Sequence, residues 1–424
     1  MNLTTGILPT WMKQTLAIGS LLLTLAGIPA VFGFVCITVL LVASDDSGAV
    51  ATGIISFALI MLTVGAGGVT FWHSTRSLQE KSSSRLKLPP ILILLSSFVL
   101  LIIIGLITIE LDEPMAGIML PPVLVGVALL PPLIALTWFF DDRTIDVTYR
   151  QGLVGFAGGM TVSIFFTLTI VGLLLAVPLF LVHNFAAFWL RQFTVNFDQA
   201  NLFTIMHDEW NYVYMFIVIT LLIPIAAELC KPLVILPVLG RLSPQGAFVM
   251  GSIAGAGFAT MSNLVIASWG MVVWNGALVA LLFSGAINPL CTGLVTVGWY
   301  KILKKDTGAW AIWRVRLCTA IIIHAFWNGG SLLIFTLNDT AHFSNFLRGA
   351  TLLGILAVTL TLILLIILAL VSFQTGRIMT RQLATLPTVE SYIRFSNKTV
   401  AIWATVCFLS IVPTGLMWLN FLSR

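Results

Sequence analysis

Residues Asn211–Val238 read NYVYMFIVITLLIPIAAELCKPLVILPV. A helix of about 20 consecutive apolar residues crosses a bilayer, and this run is long enough and apolar enough to do so. Two side chains stand against that reading, Glu228 and Lys231. Ionisable groups at membrane depth cost roughly 2.5–3.5 kcal/mol each on insertion scales, so they are expected to face protein or a wet cavity rather than lipid. Their spacing of three places both on one face of a helix.

The rest of the chain has the same character. Of its 424 residues 59% are apolar and only 9% charged, with a mean hydropathy of +1.06. That balance describes a polytopic membrane protein, because a soluble domain of this size needs far more polar surface. Eleven apolar runs are long enough to span: Thr15–Ala43, Gly48–Trp72, Pro89–Ile109, Gly117–Phe140, Gly152–Val182, Asn211–Val238, Gly246–Trp269, Asn275–Tyr300, Trp313–Leu337, Ala350–Phe373 and Ala401–Leu422. The division between the seventh and eighth rests on ASWGMVVWNGAL alone. The expected fold is an all-α bundle of about 11 transmembrane helices. Connections are short, and no soluble domain is expected.

Charge orients the bundle. With the amino terminus cytoplasmic and all eleven runs spanning, all but four of the 21 lysines and arginines fall on the cytoplasmic side. Arg191, Arg348 and Arg424 lie opposite, and Lys231 stays in the membrane. This asymmetry obeys the positive-inside rule. The basic excess is therefore a matter of orientation, and no nucleic-acid partner is implied. The first run is too long for the apolar core of a signal peptide and IPAVFGFV offers no clean cleavage site, so a retained span is expected. Cys36, Cys230, Cys291, Cys318 and Cys407 fall within runs at unrelated spacings. They form neither a disulfide framework nor a zinc motif, and buried packing is their expected role.

Two proline pairs in LPPVLVGVALLPPLIAL predict a kinked fourth helix. His183–Phe197 and Gly376–Phe395 have the composition of helices lying in the outer and inner interface. Tryptophans 72, 138, 210, 299, 310 and 313 fall near run ends, as an aromatic belt requires.

Polar residues inside spans concentrate in runs six to nine. To Glu228 and Lys231 the seventh run adds Ser262 and Asn263, the eighth Asn288 and Thr292, and the ninth His324 and Asn328. Two readings account for them. The charges can neutralise each other while the remaining groups form interhelical hydrogen bonds or back-bond to their own helices. Alternatively all four helices share one buried polar centre.

These segments resemble a known family. AELCK (Ala227–Lys231), FATMSN (Phe258–Asn263), NPLCTG (Asn288–Gly293) and HAFWN (His324–Asn328) are similar, in order and spacing, to the motifs of the PrsW-type intramembrane metalloproteases, relatives of the CAAX-processing proteases. The family pattern runs Glu-Glu-x-x-Lys, Phe-Ala-x-x-Glu-Asn, His-x-x-x-Thr-Gly and His-x-x-x-Asn. The resemblance implies a protease-fold core over residues 151–345, flanked by a four-helix module (1–150) and a two-helix segment (346–424). It implies catalytic positions at Glu228, Lys231 and Asn328, a polar cavity lined by Ser262, Asn263, Asn288 and Thr292, and His324 and Glu228 as metal ligands.

The departures fall on the chemistry. Ala227 stands where the family has its water-activating glutamate, Ser262 at an acidic position and Asn288 at a histidine. A catalytic zinc needs about three strong protein ligands and an open position, and alanine cannot serve as a general base. The expectation is a multi-pass protein of the cell membrane, a pseudoprotease that holds a transmembrane client or lipid in its polar cavity, with no cofactor. Its partners are the lipid bilayer and a transmembrane client. An active metalloprotease with substituted ligands and bound zinc is the first alternative, although His183 and His207 lie too far outside to be replacements. A transporter or channel is the second, with neither an inverted repeat nor paired broken helices to support it.

Overall fold

The computed structural model describes residues 9–44, 57, 60–111, 113–140, 145, 147–171, 213, 216–269, 274–338, 351–386 and 396–406. These residues are helical almost throughout. No strand occurs among them, and the one bridge joins Arg85 to Thr148. In chain order the helices are α1 (Thr10–Ser44), α2 (Ala66–Leu78, entered through a π-turn at Met61–Gly65), α3 (Ile91–Ile109) and α4 (Glu113–Phe140). Helix α5 (Tyr149–Gly158) continues through a π-turn at Gly159–Ser163. Helix α6 is composite, with a π-turn Val218–Leu222, an α-helical part Ile223–Cys230, a 3-10 turn Lys231–Ile235 and a last turn Leu236–Leu239. Then follow α7 (Pro244–Trp269), α8 (Trp274–Leu303), α9 (Ala309–Asn338) and α10 (Thr351–Ala384). A final helical stretch covers 397–406.

Eight helices among the described residues are long and apolar enough to cross a membrane. Their outward faces agree with that. Val315, Ile322 and Phe326 on α9 and Leu356, Leu360 and Leu370 on α10 are all more than half exposed. Contiguous apolar surface of this extent is rare on soluble monomers. The second, fifth, sixth, tenth and eleventh apolar runs extend beyond the described residues, and the outer segment His183–Phe197 lies wholly outside them.

Helix α7 is enclosed: almost every residue from Pro244 to Leu264 is buried. Its sequence, PQGAFVMGSIAGAGFATMSNL, shows how. In lipid there is no hydrophobic gain from bringing two apolar helices together, so close backbone approach through small residues carries the association. A Cβ on Gly257 would lie 2.0 Å from the Phe156 carbonyl oxygen, and one on Gly159 would lie 2.0 Å from that of Ala254. Helices α5 and α7 therefore touch backbone to backbone. On its other side α7 meets α8 in the same way, since a Cβ on Gly255 would lie 2.5 Å from the Asn288 carbonyl oxygen.

Helix α4 packs against α3, α7, α8 and α10 and remains one helix through Pro121, Pro122, Pro131 and Pro132. Gly285 of α8 sits directly on the second proline pair, its Cβ position 2.6 Å from Pro131. The largest apolar core joins Leu136 and Phe139 of α4 with Leu239, Phe248, Leu290 and Leu383. Phe139 stacks 6.4 Å from Phe248 and covers Gly376 of α10, whose Cβ position would clash with its ring.

Two expectations are corrected. Residues 376–384 continue α10 without a break instead of starting a separate interfacial helix, because nothing between Phe373 and Ala384 interrupts the backbone and Thr380 is fully buried. Cys230 and Cys291 are buried, but Cys36 and Cys318 face outward, where the surrounding apolar surface accepts a thiol as readily as the core does.

Substituting Gly159 by leucine should therefore lower the thermal midpoint of the detergent-purified protein strongly, by more than the ~1–3 kcal/mol of ordinary overpacking, because the obstacle is backbone. Gly68→Ala, with nothing within 4 Å of its Cβ position, should leave the midpoint unchanged.

Candidate functional site

Pro232 has no N–H to offer the Glu228 carbonyl, and at this point α6 tightens from α to 3-10 geometry. Lys231 sits at the junction, its own N–H still bonded to the Ala227 carbonyl. Spacing and local backbone together turn both charged side chains inward, where each is completely buried.

There the Lys231 ammonium donates to Glu228 Oε1 at 2.6 Å and to Asn288 Oδ1 at 2.6 Å. It also lies 4.4 Å from the centre of the Phe258 ring. His324 Nδ1 meets Glu228 Oε1 at 2.8 Å. A carboxylate only accepts, so a neutral His324 carries its proton on Nδ1. One side chain from each of α7, α8 and α9 thus converges on the α6 pair, and Asn288 and His324 are each only 4% exposed. From α5, Ser163 Oγ donates to the Lys231 carbonyl at 3.2 Å. Glu228 Oε2 is buried and has no hydrogen-bond partner among the described residues.

The other polar residues serve the backbone. In the π-turn of α6 the Ile223 N–H bonds to the Val218 carbonyl. The same register would assign Pro224 to Ile219, and proline has no N–H, so the Ile219 carbonyl is left open. Asn328 Nδ2 donates to it at 3.0 Å. On α4, Pro132 leaves the carbonyl four residues earlier, that of Ala128, without its helical donor. Asn263 Nδ2 approaches that oxygen at 3.5 Å, the long limit of a hydrogen bond, while Ser284 Oγ donates to Asn263 Oδ1 at 2.6 Å. Thr292 is fully buried one turn beyond Asn288, at the Gly255 crossing, and its hydroxyl has no partner among the described residues. Ser262 is half-buried and makes none of these bonds.

Of the sequence-derived site residues, Glu228, Lys231, Asn288 and His324 therefore meet, and Asn263 and Asn328 bond elsewhere. Phe258, the first residue of the second motif segment, was not singled out, nor were Ser284 and Ser163. The signal for Phe258 was available: it lies one helical turn before Ser262, so an aromatic face at that depth could have been read as a partner for an ammonium.

The donor set does not suit zinc. No group of three or more His, Cys, Asp or Glu able to hold a metal occurs among the described residues. The imidazole nitrogen and carboxylate oxygen that would bind a metal are bonded to each other, and an ammonium already lies against that oxygen. No protein-family model, curated protein or solved structure matches the chain.

Replacing Asn328 by leucine should lower stability by about 1–3 kcal/mol, the cost of leaving a buried carbonyl unpaired. Ser262→Ala should stay within about 0.5 kcal/mol of the parent. Denaturation in mixed micelles measures both, and a costly Ser262→Ala would mean that the serine, too, belongs to the centre.

Proposed function

We propose that this chain is a multi-pass protein of the cell membrane built on the frame of the PrsW-type intramembrane metalloproteases, a pseudoprotease that has lost their catalysis. In this reading it has eleven spans with a cytoplasmic amino terminus, and it binds a transmembrane client or a lipid against its polar intramembrane centre. The observation that carries the reading is the meeting of Glu228 and Lys231 with Phe258, Asn288 and His324. Each of the four motif segments, taken in the family's order, contributes to one buried cluster. Helices that merely carried scattered polar residues would have no reason to aim all four segments at one point.

The loss of catalysis is supported by the surroundings of Ala227. Its side chain is fully buried, so the position of the water-activating carboxylate is filled by a methyl group packed into the protein. A methyl group cannot accept a proton, so no general base stands at that position.

Two outcomes are expected. Purified protein should leave single-span substrates intact with or without added zinc, and Ala227→Glu should not create activity, because it buries an unpaired carboxylate. Cleavage that requires both zinc and Glu228 would overturn the pseudoprotease reading. For topology, cysteines introduced at Arg85 and Lys304 should be labelled only from the cytoplasmic side, and one at Arg424 only from the opposite side. Labelling of Arg85 and Arg424 from the same side would contradict eleven spans.

A further inference from the structure

Lys231 is held like a bound ligand. Its ammonium has three protons, and two of them point to oxygens 2.6 Å away on different helices, Glu228 Oε1 of α6 and Asn288 Oδ1 of α8. Its remaining side faces the ring of Phe258 on α7, 4.4 Å from the centroid, where the negative face of the π-system attracts a cation. Such a set of one carboxylate, one amide oxygen and one aromatic face is selective for an alkylammonium. Zinc prefers imidazole, thiolate and carboxylate donors at about 2.0–2.3 Å, and here the imidazole is turned to the carboxylate.

We infer that Glu228, Asn288 and Phe258 form an ammonium-binding site which the chain fills with its own Lys231, so that a lysine side chain supplies the positive charge of the centre. His324 is the outer partner of the carboxylate, holding Glu228 Oε1 in place for the ammonium at 2.8 Å. The side chain runs from a backbone whose carbonyl is fixed by Ser163, and the receptor groups come from three helices. Occupancy therefore ties α6, α7 and α8 together. The inference stands on this geometry alone and does not depend on the family reading.

Truncation followed by chemical rescue tests it. Lys231→Ala deletes the three methylenes and the ammonium that n-propylammonium would replace. In detergent the variant should unfold roughly 10 °C below the parent, as expected for a buried ion pair broken on one side. Added n-propylammonium should recover part of that loss, while 1-propanol, of similar size but uncharged, should not. The parent should respond to neither. Equal recovery by the alcohol, or no loss on truncation, would overturn the proposal. If Lys231→Ala cannot be isolated, Lys231→Met compared with Glu228→Gln/Lys231→Met decides the matter. Removing both charges should give the more stable protein, and a double variant no better than the single one would overturn the inference. So would stoichiometric zinc in the parent that disappears in Glu228→Gln.

Discussion

A carboxylate and an ammonium cannot persist inside an apolar helical bundle unless each meets the other and both are further hydrogen-bonded, because the desolvation of two ions outweighs a simple Coulombic contact. Much of the described geometry follows from that constraint. The pair lies on one helix, where a spacing of three brings the groups within 2.6 Å. The second acceptor for the ammonium must come from α8, and α8 can bring Asn288 near only because Gly255 of α7 has no side chain at the crossing. The second donor to the carboxylate comes from α9, otherwise a largely outward-facing helix. Its register is fixed one turn away by the bond from Asn328 to the Ile219 carbonyl.

That bond belongs to a second class of polar contact with a different cause. Prolines in α4 and α6 release backbone carbonyls, and in a bilayer water does not reach them, so protein donors must. Asn328 and Asn263 supply those donors. Helices α6 to α9 therefore hold two groups of polar side chains with different causes. Glu228, Lys231, Asn288 and His324 answer to charge, and the two remaining asparagines answer to proline. Substitution of either kind would damage the protein, which is why loss of function alone would not tell a charge centre from backbone repair.

Helices, their apolar faces and the shared centre were legible in the sequence, since length, hydropathy and rare buried charges are local properties of the chain. Glu228 and Lys231 could be paired from their spacing, and Asn288 and His324 could be nominated because such residues are costly in lipid. What the asparagines do was not legible. Assigning Asn328 to Ile219 requires knowing that α6 begins with a π-turn, and that Pro224 then falls where the donor should be. Phe258 carried only its place one turn before Ser262 as a signal: an aromatic in an apolar span is ordinary, and the ammonium 4.4 Å from its ring is what makes it part of the centre. Helix α4 packs against α7 and α8, and the close approach to α8 depends on Gly285, far away in sequence, which sits on the second proline pair.

If the proposed family reading holds, charge balance links the departures from the motif pattern. A centre with the full pattern would carry three carboxylates and one lysine, a net charge of minus two that a zinc ion neutralises. This chain has Ala227 and Ser262 at two of the acidic positions, which leaves Glu228 and Lys231 to cancel. A dication added to that centre would be uncompensated in a medium where stray charge is costly. On the proposed family reading, the three differences from the pattern would therefore be linked and not independent. Removing two carboxylates without removing the metal would leave buried positive charge, and removing the metal without the carboxylates would leave buried negative charge. The combination that stays neutral is the one present, and in it Asn288 offers an oxygen that accepts a hydrogen bond from Lys231.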